Sequence, residues 1–171
     1  MKRLRERLKI AEYDYPLANI LNPKLHQVIT EMPEMQTKPK SVKARMTDWR
    51  SEHPQFTIIT DLTHKYIQRD FLESKIELTC SECWGIIYND GDYVERHNHE
   101  PSYYSFVYYV NTPKGSSHLV FDTSGYKVKA KEGKLVIFDS KLYHHVPTNR
   151  SMNRTVISGN FISVGGGVYG I

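Results

Sequence analysis

Five of the 8 histidines in this chain fall between positions 97 and 145: His97, His99, His118, His144 and His145. Most histidines are surface or packing residues, so one alone says little. The spacing of three of these says more. His97 and His99 are two apart in a segment that runs into a strand, so both rings leave one face. Two imidazoles on one face, completed by a third ligand from a distant strand, occupy one triangular face of a six-coordinate metal. Three positions then stay open for substrates and O2, the arrangement that non-haem iron(II) oxygenases require. His144 or His145 supplies the third ligand, because both follow KLVIFDSKLY, a strand and turn able to return the chain beside the first pair. Arg154 lies ten residues beyond His144, at the start of RTVISGNF. An anionic co-substrate chelating a metal needs its far carboxylate neutralised in a dry pocket. A bidentate arginine does this better than a lysine.

A sheet has to carry these groups. From Ile76 onward the sequence runs as short β-rich stretches: ELTCSECWGIIYN, SYYSFVYYVN, HLVFD, YKVKA, KLVIFD and RTVISGNFISV. Turn chemistry separates them in NDGD, NTPKGSS, TSG, KEGK and PTNRSMN. Several short strands at such spacing predict a β-sandwich or barrel. The first 75 residues read as a helical and irregular lead-in. Asn22-Pro23 is a helix start, an N-cap followed by proline, ahead of KLHQVITEM. Residues 33–48 are polar with two prolines and three lysines, and read as a loop. From about Pro54 to Leu72, Phe56, Ile59, Leu62, Ile67 and Phe71 fall near helical spacing. The expectation is one domain over 1–171, with a lead-in over 1–75, a β-barrel core over 76–163 and a glycine-rich tail, VGGGVYGI, over 164–171. No internal repeat or dividing linker is visible.

Composition agrees with a strand-rich globular chain. Its 171 residues suit one domain with a real core, and 39% hydrophobic with 25% charged residues is ordinary usage. Tyrosine is abundant, 12 against 6 phenylalanines, and suits half-buried pleated surfaces. A net charge of +4 is mildly basic and lacks the clustering of a dedicated nucleic-acid binder. The 2 cysteines, Cys80 and Cys83, form one C-x-x-C, half of a structural zinc site. In a strand, residues three apart point to opposite faces, so these read as structural thiols. No disulfide framework is present, and no apolar region follows MKRLRERLK, so a cytoplasmic setting is expected (host cytoplasm for a viral protein). No run of about 18 apolar residues is present to span a membrane.

The order of these motifs resembles the 2-oxoglutarate/Fe(II)-dependent oxygenase superfamily, and within it the prolyl-hydroxylase-like branch. The resemblance covers about Trp84 to Phe161. Tyr88 leads YNDGDYVERHNH, followed by VYYVN, SSHLVFD, EGKLVIFDSKLYHHV and RTVIS. This is the family's sequence of a tyrosine-led strand, H-x-D, a Tyr-Tyr strand, L-x-F, G-x-L-x-x-F, a distal histidine and a basic residue. The chain also looks like small bacterial and phage members in which H-x-H precedes S-x-V-Y-Y. The resemblance implies a double-stranded β-helix, a jelly-roll or cupin-like barrel, mainly β with flanking N-terminal helices. It implies iron(II) as metal and 2-oxoglutarate as co-substrate, with His97 and His144 as ligands. It further implies that Arg154 and Tyr109 hold the C5 carboxylate and that Tyr88 lines the pocket near the metal. His144 is preferred to His145 because Val146 then matches the family's H-x-V.

One position departs from the pattern. His99 stands where the family has aspartate, which raises the site's net charge by one. Glu100 or Asp122 could instead supply a carboxylate, although a strand would point Glu100 away from the two histidines. His118 is expected to be structural. The activity implied is a hydroxylase that couples decarboxylation of 2-oxoglutarate to succinate with C–H oxidation by O2. Two other readings fit the same residues: a cupin-type three-histidine dioxygenase without 2-oxoglutarate, and a non-enzymatic β-sandwich binding module. The prime substrate, whether peptide, nucleotide or small molecule, and the oligomeric state are not specified by the sequence.

Overall fold

The computed structural model describes residues 9–71 and 76–164. The first eight residues and nearly all of the glycine-rich tail lie outside them. Among the described residues there are two antiparallel sheets and two helices. The larger sheet holds six strands: β1 (Ile10–Asp14), β3 (Arg45–Met46), β4 (Leu78–Tyr88), β6 (Tyr104–Asn111), β9 (Lys134–Asp139) and β11 (Arg154–Ser163), in the order β1-β9-β6-β11-β4-β3. The smaller holds β2 (Val42–Lys43), β5 (Tyr93–His97), β7 (Leu119–Phe121), β8 (Tyr126–Val128) and β10 (His144–Val146), in the order β2-β5-β10-β7-β8. Helices α1 (Ala18–Glu31) and α2 (Pro54–Asp70) cover the outer face of the larger sheet. This is the mainly β, double-stranded β-helix architecture expected.

Three layers explain why the central strands are apolar on both faces. Along β6, Phe106, Tyr108 and Val110 join the core under the helices, while Val107 and Tyr109 join the core between the sheets. On β11, Ile157 and Phe161 face the helices and Val156 faces the interior. Arg154 shares the parity of Val156, so strand alternation turns it inward. On β4, Trp84, Ile86 and Tyr88 face inward as well.

Helix α2 forms as its spacing predicts. His53 caps it by accepting the Gln55 N–H, Pro54 occupies the first turn, and Phe56, Ile59, Thr63 and Ile67 are buried. Helix α1 begins earlier than the Asn22-Pro23 signal, at Ala18, and keeps Pro23 inside. An interior proline costs about 3 kcal/mol. Burial of Leu21, Leu25 and Ile29 at four-residue spacing offsets it. Asn22 is not a cap; its carboxamide oxygen accepts the Tyr108 hydroxyl at 2.7 Å.

The lead-in is also less irregular than its sequence suggests. β1 is a full edge strand, with Ile10 opposite Phe138 and Asp14 opposite Lys134. The 33–48 loop contains β2 and β3, which pair with β5 and β4 and so join opposite sheets within a few residues. The two cysteines do not point to opposite faces. On β4, Glu82 opposes Asn160 and Cys80 opposes Phe161, so Ser81 is an extra, bulged residue. The bulge restores Cys80 and Cys83 to the same face, and both pack against the core under the helices. Burial pushes the Cys80 thiol up to about 11 and that of Cys83 well above the ordinary value, as suits structural thiols.

Candidate metal centre

Strand pairing assembles the histidines. β5 and β10 run antiparallel with His97 directly opposite His144, and their ring centroids are 4.3 Å apart. His99 does not share the strand with His97. It lies just past the end of β5, where its N–H donates to the Ser140 carbonyl at 2.8 Å. The loop still brings its ring to 4.9 Å from His97 and 5.0 Å from His144. One nitrogen from each of the three rings falls within 4.8 Å of the others.

Backbone carbonyls fix two of the rings. The Nδ1–H of His97 donates to Glu95 O at 2.8 Å, and that of His144 to Leu142 O at 2.8 Å. A carbonyl only accepts, so in both rings Nε2 carries the lone pair and is left for a metal. Burial lowers all three histidines, and neighbouring imidazoles add to the effect at His99 and His144. His144 is pushed down to about 3. Neutral imidazoles in a dry pocket are the form that binds a divalent ion.

The other acidic and imidazole candidates go elsewhere. His145 points away from the triad and pairs with Asp122 through Nδ1 at 3.0 Å. Glu100 is exposed and accepts from Asn98 at 3.0 Å. Among the described residues, the group able to hold a metal contains imidazoles only. His118 is apart from it. Its Nδ1 is buried without a partner, and burial together with Lys127 and Lys129 lowers it.

Behind the triad lies an unusual cation. Arg154 is 1% exposed, donates from Nε to Ser117 O at 3.0 Å, and leaves one terminal nitrogen without any partner. Among the described residues no carboxylate lies within ion-pair distance of it. Its guanidinium stacks on Tyr88, 4.3 Å from the ring centroid, and lies 5.4 Å from that of Tyr109. The Tyr109 hydroxyl is also buried and unpartnered. Burial pushes this phenol up to about 12 despite the nearby cation, so it is a hydrogen-bond donor. Buried polar groups without partners are rare, and two donors side by side fit one carboxylate.

A cavity of about 230 Å3 opens at the three imidazoles, walled by Trp49, Trp84, Ile86, Val94, Val107 and Leu119. Tyr88 is on its wall and Arg154 is not. A carboxylate reaching the guanidinium from the cavity therefore passes Tyr88. A larger groove of about 570 Å3 near β1 and α2 holds none of the triad. Its charges are already paired, Lys131 with Asp14 at 2.9 Å and Lys134 with Glu12.

Sequence reasoning missed a buried polar chain beside the triad. Glu82 accepts from Asn160 at 2.7 Å, Asn160 accepts from Ser105 at 2.8 Å, and the Ser105 and Ser140 hydroxyls are 2.7 Å apart. Ser140 is the residue whose carbonyl holds the His99 N–H. The available signal was the polar Ser105 and Asn160 within otherwise apolar strands.

Residues 82–126 match the family model described as putative 2OG-Fe(II) oxygenase. No curated relative matches the sequence. Among solved structures, the chain resembles a viral collagen prolyl hydroxylase from Paramecium Bursaria Chlorella virus-1 in complex with 2OG. The TM-score is 0.76 at 17% identity, over 95% of this chain and 100% of that one. A prolyl-4-hydroxylase from Pseudomonas putida gives 0.67 at 18% identity, over 93% of this chain and 95% of that one. HygX from Streptomyces hygroscopicus, with nickel and 2-oxoglutarate bound, gives 0.70 at 9% identity, over 92% and 84%. The family match covers 82–126 only, and the likeness to these solved structures is one of fold.

Proposed function

We propose that this protein is an Fe(II)- and 2-oxoglutarate-dependent hydroxylase in which His97, His99 and His144 hold the iron. Arg154 and Tyr109 hold the C5 carboxylate of 2-oxoglutarate. The observation that carries this reading is a buried guanidinium and a buried phenol, both short of partners, behind three neutral imidazoles. Bound iron would supply activation of O2, coupling decarboxylation of 2-oxoglutarate to succinate with oxidation of a substrate C–H bond.

The remaining work falls to the protein. His97 and His144 present Nε2 in a fixed tautomer because Glu95 and Leu142 carbonyls hold the opposite nitrogens. Phe121 and Phe138 pack against His144 and keep water from that side. Arg154 neutralises the far carboxylate, and its stacking on Tyr88 fixes the plane of the fork. His99 in place of a carboxylate leaves the metal end one unit more positive, which strengthens its hold on the anionic end of the co-substrate. No helix among the described residues is long and apolar enough to cross a membrane. We assign the protein to the cytoplasm, where free thiols such as Cys80 and Cys83 persist.

The test is succinate release by tag-free protein supplied with iron(II) in air, with and without 2-oxoglutarate. Release that needs both iron and 2-oxoglutarate is expected. Metal binding with no succinate would favour a three-histidine dioxygenase of the cupin kind, and no metal binding would favour a binding module.

A further inference from the structure

The turn PTNRSMN carries a buried amide, Asn149, which is 0% exposed and is not on the cavity wall. Its backbone is pinned on both sides: the N–H donates to Asp92 O at 2.7 Å, and the carbonyl accepts from the Gly91 N–H at 2.9 Å. Its carboxamide then faces two separate segments. Oδ1 accepts the Ser117 N–H at 3.1 Å, just before β7. Nδ2 faces the carbonyls of Tyr88 at 3.4 Å and Asn89 at 3.2 Å, at the end of β4, and that of Ser151 at 2.7 Å. A backbone N–H only donates and a carbonyl only accepts, so these neighbours fix which end of the amide is oxygen.

Ser117 and Tyr88 are also the groups on which Arg154 rests. The Ser117 carbonyl takes the Nε–H at 3.0 Å, and the Tyr88 ring centroid lies 4.3 Å from the guanidinium. β4 and β7 belong to different sheets, so the strand ladders do not fix one support against the other. Pairing of β11 with β4 sets Arg154 opposite Tyr88 and leaves the Ser117 carbonyl to be placed by other means. The Asn149 carboxamide spans that gap. The Ser117 hydroxyl adds a second tie to the same turn, donating to Thr148 O at 3.0 Å. The direction in which the guanidinium offers its unpartnered nitrogen depends on where its two supports stand. A misplacement of about 1 Å is enough to cost such a contact much of its effect.

We propose that Asn149 is a positioning residue for Arg154: its carboxamide braces the end of β4 against the segment before β7 and so aims the guanidinium. The consequence for 2-oxoglutarate rests on the oxygenase reading. The brace itself does not.

The brace is tested without any ligand, by hydrogen exchange in isotopically nitrogen-labelled, metal-free, full-length protein. The Arg154 Nε–H signal is identified by its absence in Arg154→Leu, and the Ile157 amide of β11 reports opening of the fold as a whole. Asn149→Ala should raise the exchange rate of the Arg154 Nε–H relative to that of Ile157 by at least about tenfold. Ile29→Val, a destabilising change under the helices, should leave that ratio within about twofold of wild type. Calorimetric titration of 2-oxoglutarate into manganese-loaded protein should show about tenfold weaker binding by Asn149→Ala, with bound metal unchanged. The same change added to Arg154→Leu should cause no further loss, because the two act as one unit. An unchanged exchange ratio overturns the proposal, as does a wild-type Nε–H that exchanges as fast as that of an exposed arginine. A Kd for Asn149→Ala within about twofold of wild type overturns it too. Wild-type protein that binds no 2-oxoglutarate sinks the oxygenase reading, and the exchange ratio then judges the brace by itself. Should Asn149→Ala fail to fold, Asn149→Ser, too short to span both segments, carries the same comparison.

Discussion

Replacing Arg154 with leucine separates ligand recognition from stability in a way that few buried substitutions do. In the wild-type protein the guanidinium is 1% exposed and has one carbonyl partner, one unpartnered nitrogen and a tyrosine ring beneath it. A buried cation without a counter-ion contributes little to stability, and replacing it with an apolar group of similar volume is often neutral or better. Loss of the Ser117 bond, at about 1 kcal/mol, and of the ring stacking, at about 0.5–2 kcal/mol, sets the opposite side of the comparison. The melting temperature of the ligand-free variant should therefore stay within a few degrees of wild type. Binding of 2-oxoglutarate should respond quite differently. Removing one partner of a buried charge pair costs about 2–5 kcal/mol, which is about 30-fold to several-thousand-fold in Kd. Calorimetric titration of 2-oxoglutarate into manganese-loaded protein under argon measures this loss. Wild-type protein at 100 times its Kd should gain about 2.7 kcal/mol, or roughly 5–11 °C, and the variant at the same concentration about 0.9 kcal/mol or less. An unchanged Kd would refute the assignment of Arg154, and loss of bound metal in the variant would show that its role had been misplaced.

Other consequences are equally direct. The three triad histidines have lowered pKa values when folded and ordinary ones when unfolded, so the unfolded state takes up protons first as the pH falls. Stability is then complete above about pH 6.5 and declines towards the folded value of about 3; His144 alone should account for about 2 kcal/mol between pH 7.5 and 5 in urea denaturation of metal-free protein. Ser105→Ala should cost about 1–3 kcal/mol by leaving Asn160 and Ser140 without their shared partner, and should also weaken metal binding, because Ser140 holds the His99 loop. Gly159→Ala should destabilise by about 1–3 kcal/mol in thermal melts, since a Cβ there would stand 2.6 Å from the Glu82 carbonyl oxygen and 2.5 Å from the Phe106 ring.

The triad was legible because its parts obey local rules. Strand pairing sets His97 opposite His144, whereas His99 lies past the end of β5 and is brought to them by its loop, not by the shared strand face that the spacing predicts. Arg154 was legible for a similar reason, since it begins a strand whose inward parity is fixed by its apolar neighbours. The failures share a physical cause, which is long-range pairing that no local pattern encodes. β1 is a five-residue strand containing Glu12 and Asp14, and its acidic side chains are satisfied by Lys134 and Lys131 more than 100 positions away. The Asn22-Pro23 signal for a helix start is a sound local rule, but Asn22 is tied to Tyr108 across the layers. The bulge at Ser81 reverses the expected facing of Cys80 relative to Cys83, and strand periodicity alone gives no hint of it. The choice of His99 over Glu100 or Asp122 likewise depends on contacts made by the loop after β5 and by His145.

The central claim is that three imidazoles from separate points of the chain share one ion. Anaerobic titration of tag-free protein with iron(II), followed by measurement of bound iron, tests it most directly. One ion per chain is predicted for wild type, with His99→Ala losing affinity by more than the about 10–100-fold typical of changes outside the ligand shell. Wild-type protein that binds no iron, or a His99→Ala variant that binds it as tightly as wild type, would contradict the account.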